Sequence, residues 1–447
     1  MNRARSGLIW AIRYGLPGVG LRVATARGDL IARVVADPEV LADPFPVYEQ
    51  LRAQGPVASN PFIRATTHHA TANMILRNDE FVDGDVPLAD SRLGRLVSAA
   101  SDPHSLGPFE APSLLGLHPP EHTRIRRLVS RAFTPKAVAQ FGDRIQQIAD
   151  ELLDDIIAGP PVFDLMETYA SLLPVTVIAE MLGVPTAMRK QFLAWGNDGA
   201  LTLDPGLSWR DYKRAQVAVR TSHHWLDQHI ANLRANPGED LLSQLVQVVD
   251  EGDRLTDTEL RVTALLILGA GFETTVNLIG NGAALLLAHP EQLDLLRDDP
   301  GRWNNAIGEI LRYDSPVQIT LRTAGRDTHL LDRPIRKGRS VIVMLGGANR
   351  DPAVFTDPHR FDIGRENARE HLAFSAGIHY CLGAQLARLE AAIALRTLFD
   401  RLPELTSSGA PTRGGTRVLR GYRQLPLRAG RAASQTATNR TTVTENA

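Results

Sequence analysis

The chemistry-bearing residues of this chain converge on one thiol. Cys381 is the only cysteine among 447 residues, so no intramolecular disulfide can form and no oxidising compartment is implied. It lies in Phe374-Ser-Ala-Gly377-Ile378-His379-Tyr380-Cys381-Leu-Gly383. Leu382, Leu386, Leu389, Ile393 and Phe399 follow at helical spacing and predict a helix starting at Leu382. Free N–H groups and the positive dipole end at such a start lower a thiol's pKa and favour thiolate. Gly377 suits a tight turn with positive φ, and Gly383 removes a side chain where a flat ligand would approach the helix. A lone cysteine is otherwise a small buried apolar residue. In this setting its thiolate suits a metal, the iron of a haem above all.

A second group interrupts an apolar run. Thr256 and Glu259 form a capping box, and Leu260 to Ala288 is largely apolar until His289 and Pro290 stop it. The predicted helix is about 50 Å long and should cross the core. Within it, Gly269-Ala270-Gly271-Phe272-Glu273-Thr274-Thr275 sets an acid beside hydroxyls. Burying those groups is costly unless they are paired or solvated. The two glycines weaken the helix by roughly 1 kcal/mol each. A widened turn holding ordered water would account for both features. The bland alternative has Glu273 facing solvent and Thr274 bonded to the carbonyl four residues earlier.

Two further pairs share a helix face: Glu309 with Arg312, three apart, and His122 with Arg126, four apart. Helical periodicity dominates from Asp43 to His289. A short helix over Trp303–Tyr313 and strand-like runs at 319–323 and 340–345 follow. Residues 83–120 read as a long loop and the tail from Ala429 as disordered. These elements predict one mainly α domain with small sheets over 37–428. Residues 1–36 precede it as a basic extension and 429–447 follow as the tail. A formal net charge of −1 gives no general attraction for nucleic acid. The run Leu8 to Ile12 is too short for an anchor or signal peptide. Arg3, Arg5, Arg13, Arg22, Arg27 and Arg33 would allow the arm to lie on a membrane surface. A loosely packed extension of a cytoplasmic monomer is the simpler expectation.

The cysteine loop matches Phe-x-x-Gly-x-His-x-Cys-x-Gly, the ligand pattern of the cytochrome P450 family, which this chain resembles from about Asp37 to Leu427. Ser375 departs from the glycine common there, and His118, before Pro119-Pro120, from a common aspartate. Phrases such as Asp240-Leu-Leu-Ser-Gln look most like the mycobacterial family 140. The resemblance implies the P450 fold, with its long central helix over haem b (iron protoporphyrin IX) and Cys381 as axial iron ligand. It places haem contacts at Ala270, Gly271, Phe374, Gly377 and Gly383, and propionate contacts at His122, Arg126, Arg322 and His379. It makes Glu273 and Thr274 the acid–alcohol pair of oxygen activation. Glu309, Arg312 and Arg360 become a buried structural network.

The implied reaction is monooxygenation of a lipophilic small molecule with O2. No nucleotide-binding glycine motif or fused reductase is visible, so electrons would come from a separate ferredoxin and ferredoxin reductase. Arg127, Arg131 and Arg388 are expected to form the basic docking face. Expected substrate walls are Leu266, Ala270, Val317, Ile319, Leu321 and Leu419, with the loop after Asp83 and the segment from Phe192 to Trp209. A peroxide-driven peroxygenase and a haem sensor remain alternatives; neither makes the same use of Glu273 and Thr274.

Overall fold

A computed structural model describes residues 3–83, 111–204, 206–248, 252–414 and 416–430. The expected loop at 83–120 is therefore described only at 83 and 111–120, and the tail only to residue 430. The fold is mainly α with small sheets, organised on the helix Asp257–Ala288. Thr256 Oγ1 accepts from the Glu259 N–H at 3.3 Å, and the Glu259 carboxylate accepts from the Thr256 N–H at 2.8 Å. That reciprocal cap satisfies two donors that helix geometry leaves over. The helix is apolar and long enough to cross a membrane, but most of it is buried inside the protein.

Helices Leu172–Met181, Arg189–Ala200, Trp209–Ala235 and Ala384–Arg401 pack around it and share one core. Gly282 allows a close approach: a Cβ there would lie 2.6 Å from Leu395 Cδ1 and 3.1 Å from Ile310 Cδ1. The central helix thereby meets Trp303–Tyr313 and Ala384–Arg401 at once. The last helix starts at Ala384, two residues later than its apolar spacing predicts, because Leu382 and Gly383 form the turn leading into it.

The main sheet runs Ala58–Ser59, Arg64–Thr66, Ser340–Met344, Ile319–Ala324, Phe81–Val82. Only Arg64–Thr66 and Ser340–Met344 run parallel; the other neighbours are antiparallel. The two predicted strand runs thus pair with each other. The N-terminal arm differs from a loose extension. It forms Arg3–Trp10, a π turn Ala11–Gly15, Leu16–Ala26 and Leu30–Ala36. Ile31, Val34 and Val35 are buried against the sheet, so the expected boundary after residue 36 falls inside a packed unit. Trp10 Nε1 donates to the Leu207 carbonyl at 2.8 Å, and Ile9 is buried beside Leu207 and Tyr212.

Candidate active site

The cysteine loop is held from both ends. The Cys381 N–H donates to the Phe374 carbonyl at 2.9 Å, closing the loop on itself. Gly377 adopts φ +69°, and a Cβ there would meet the Leu76 carbonyl oxygen at 2.4 Å. Both facts demand glycine. Ser375 also takes a positive φ, +62°, which explains why glycine is common at that position. Burial raises the Cys381 thiol pKa, opposed by the Gly383 N–H, Arg126 and Arg388. Burial therefore outweighs the lowering that the sequence led us to expect from the helix start. Backbone and two guanidiniums supply the opposing field.

His122, Arg126, Arg322 and His379 do gather beside this loop. His122 and His379 meet edge to face with ring centroids 4.6 Å apart. Arg126 donates to the Tyr380 carbonyl at 2.6 Å. Arg322 pairs with Asp83 and reaches Ser375 Oγ at 3.4 Å. Asp83 also stands 3.2 Å from His379 Nε2. Asp83 and His118 are members that the sequence reading did not assign to the site. Asp83 reads as the first residue of a loop, and only the cross-strand register brings it to Arg322. Burial pushes the Asp83 carboxyl up to about 6 against the pull of Arg322. Burial and neighbouring cations hold His122 down to about 4 and His379 down to about 3. Both histidines are therefore neutral here. Arg124, on the same helix Glu121–Ser130, pairs with Glu259 and Asp253, tying that helix to the start of the central one.

Across the central helix, Ala270 is exposed between the buried Leu268 and Phe272. A Cβ at Gly269 would meet nothing within 4 Å, whereas one at Gly271 would touch Ile178 Cδ1 at 3.0 Å. Gly269 and Ala270 border open space, and Gly271 lets the helix pack closely on Ile178. The backbone stays α-helical throughout, so the widened turn does not form. Thr274 Oγ1 donates to the Ala270 carbonyl at 2.8 Å and Thr275 Oγ1 to that of Gly271 at 3.0 Å. Glu273 Oε2 is buried without a hydrogen-bond partner, and burial pushes its carboxyl up to about 7.

Glu309 and Arg312 are fully buried in a two-pronged pair, with N–O distances of 2.7 and 2.8 Å. Arg312 also donates to the carbonyls of Asn349 and Pro358, each at 2.9 Å. The third arginine is Arg365, not Arg360. Arg365 Nε lies 3.2 Å from Glu309 Oε2, while the Arg360 side chain is exposed and offers only its carbonyl. Four residues of chain between them let a turn present the later arginine inward.

The expected substrate walls divide. Val317 and Leu419 form a bridge to each other, and Leu266 is partly buried on the central helix. Ile319 is buried in the N-terminal core, and strand alternation sets Leu321 on its side, away from Arg322. Phe192 is buried against the Trp195 and Trp225 rings.

The cytochrome P450 family model matches residues 162–299 and 303–407. The chain is 46% identical over 427 residues to the cytochrome P450 140 of Mycobacterium tuberculosis, covering 94% of this chain and 96% of that one. It belongs to the cytochrome P450 family. Among further relatives, PikC of Streptomyces venezuelae is 41% identical, with 87% of this chain and 91% of that one covered. The 6-deoxyerythronolide B hydroxylase of Saccharopolyspora erythraea is 38% identical, with 88% and 98% covered. The solved structure of P450BioI with a hexadec-9Z-enoic acid-ligated acyl carrier protein superposes with a TM-score of 0.80 at 34% identity, covering 88% of this chain and 100% of that one.

This P450 is thus a monooxygenase of the haem-thiolate class, acting on a small molecule with O2 and redox partners. Its residues fit the prosthetic group. His122 Nε2, His379 Nε2 and His118 Nδ1 are buried donors or acceptors without a hydrogen bond, beside Arg126 and Arg322. Gly383, Gly269 and Ala270 leave open space on the two facing elements. Cys381 would bond the iron, and the cationic cluster would take the propionates.

Proposed function

We propose that this P450 inserts one atom of O2 into a lipophilic small molecule, as a hydroxyl or an epoxide. Electrons would come from a separate ferredoxin and ferredoxin reductase in the cytoplasm. The carrying observation is the buried, unpartnered Glu273 Oε2 beside Thr274, one turn along the central helix from the exposed Ala270. The bound haem supplies the oxygen-activating redox chemistry. Glu273, with a pKa of about 7, can release and regain a proton near neutrality. Thr274 has its hydroxyl proton committed to the Ala270 carbonyl, which leaves its oxygen free to accept a bond from a proton carrier. Arg126 and Arg388 add positive field around the Cys381 sulfur. Arg127 and Arg131 are exposed on and just after the helix that carries Arg126, which supports an acidic redox partner docking near the thiolate loop.

Val317, Leu419 and Leu266 are apolar, which supports a lipophilic substrate. The relatives support it too. One is a 6-deoxyerythronolide B hydroxylase, and two similar solved structures hold epothilone D (P450epoK, 32% identical) and testosterone (CYP109E1, 31% identical). The test has two parts. Reduced protein with carbon monoxide should show the long-wavelength Soret band of thiolate ligation, lost in Cys381→Ser. A panel of macrolactones, steroids and long-chain fatty acids should then yield a ligand that shifts the haem spectrum. With that ligand, a ferredoxin pair should drive product formation, and Thr274→Ala should lower the product per O2 consumed roughly tenfold or more. Coupling indifferent to Thr274 would overturn the reading.

A further inference from the structure

The N-terminal arm carries an apolar surface that the haem site does not use. Among the described residues, four of thirteen exposed large apolar side chains fall within sixteen positions: Leu8, Leu16, Val19 and Val23, the last three 69%, 50% and 45% exposed. Leu16, Val19 and Val23 stand at i, i+3 and i+7, one face of the helix Leu16–Ala26. Leu21 points the other way and packs on the N-terminal core. The helix therefore has a side that holds it to the body and an apolar side left to solvent.

A second apolar point lies at the same end of the fold. Phe62 is 80% exposed at the tip of the hairpin joining Ala58–Ser59 to Arg64–Thr66. That tip is built, since Asn60 Oδ1 accepts from the Phe62 and Ile63 N–H groups at 2.9 and 2.8 Å. Asn60 Nδ2 in turn donates to the Asp29 carboxylate at 3.1 Å, fixing the tip beside the end of the arm.

Charge selects the occupant. Residues 1–28 contain five arginines and no acidic residue or lysine, although the whole chain carries −1. Arg22 and Arg27 are exposed next to the stripe, and neither has a carboxylate partner among the described residues. A second copy of the chain pairing through this face would bring the same arginines together. A surface of acyl chains under anionic headgroups satisfies both the apolar and the cationic groups. We propose that Leu16–Ala26, with Phe62 at its flank, docks on an anionic lipid bilayer and lies in its interface. Trp10 and Tyr14 secure the arm to Trp209 and Tyr212, with ring centroids 5.7 and 5.8 Å apart, so docking orients the entire molecule.

The test uses the haem-loaded full chain and vesicle flotation, and needs no turnover. Protein should float with phosphatidylcholine vesicles containing phosphatidylglycerol, roughly tenfold more than with phosphatidylcholine alone, and less as salt rises. The triple variant Leu16→Ser/Val19→Ser/Val23→Ser should lose roughly tenfold or more of that binding while keeping its carbon monoxide spectrum. Arg22→Glu/Arg27→Glu should lose binding to the anionic vesicles alone. No flotation with anionic vesicles at low salt would overturn the proposal. So would flotation unchanged in the triple variant, or a dimer by light scattering that the triple variant dissolves.

Discussion

Alanine at Arg365 should destabilise this P450 far more than alanine at Arg360. Arg365 is 8% exposed at its side chain and faces a Glu309 that is fully buried. Its guanidinium also donates to the carbonyls of Thr356 at 2.6 Å, and of Asp357 and Arg360 at 3.2 Å. Breaking a buried ion pair outright costs about 3–5 kcal/mol. Arg312 still grips both carboxylate oxygens in Arg365→Ala, so Glu309 keeps one counter-charge, and the loss should be about 2–3 kcal/mol. Arg360→Ala removes an exposed side chain and keeps the carbonyl that both arginines use, for a change within about 0.5 kcal/mol. Urea unfolding followed by far-UV dichroism and the Soret band reads the difference. With a slope of about 3 kcal/mol per molar, Arg365→Ala should lower the midpoint by about 1 M and Arg360→Ala hardly at all. Equal losses at the two positions would refute the assignment of Arg365.

Glu273→Gln should stabilise the fold selectively at alkaline pH. The folded carboxyl is raised to about 7 from an ordinary 4.5, so its contribution is full below 4.5 and is lost as pH rises through 7. Glutamine escapes that loss, which is on the order of 2–3 kcal/mol by pH 8; a thermal-midpoint difference independent of pH would contradict this. Asp83→Asn should slow haem transfer to apomyoglobin, because it removes a carboxylate that competes with the propionates for Arg322 and His379; faster transfer would count against the shared site. Gly377→Ala should cost about 3 kcal/mol or more and sharply reduce haem content, since it meets both a positive φ and the Leu76 carbonyl. Normal haem occupancy in that variant would show that the loop can relax.

Local patterns were legible wherever neighbours in sequence settle the outcome. The capping box at Thr256 and Glu259, the helix Trp303–Tyr313 and the two strand runs depend on short-range periodicity and caps, and all form where expected. The Gly377 turn is equally local. Asp83 was not legible, because its role depends on pairing with a strand some 240 residues later. Arg365 displaced Arg360 through the turn that follows Pro358, which spacing alone does not reveal. The apolar spacing at Leu382 overran the true helix start, since Gly383 takes the capping position. The arm was misjudged for a similar reason. A loose extension was expected because its short-range pattern shows no packing partner, whereas Ile9, Trp10 and Ile31 anchor it by contacts to distant elements.

Phe81 faces Ala324 and Val82 faces Thr323 in the antiparallel ladder, so the next rung sets Asp83 across from Arg322. Slipping that ladder by one residue would turn the Asp83 side chain to the other side of the sheet. Strand alignment in the N-terminal half thus acts as a proofreading step for the haem pocket. A chain whose edge strand has annealed out of step would offer the porphyrin carboxylates a different electrostatic landscape, and insertions between residues 66 and 81 should be filtered first by cofactor uptake.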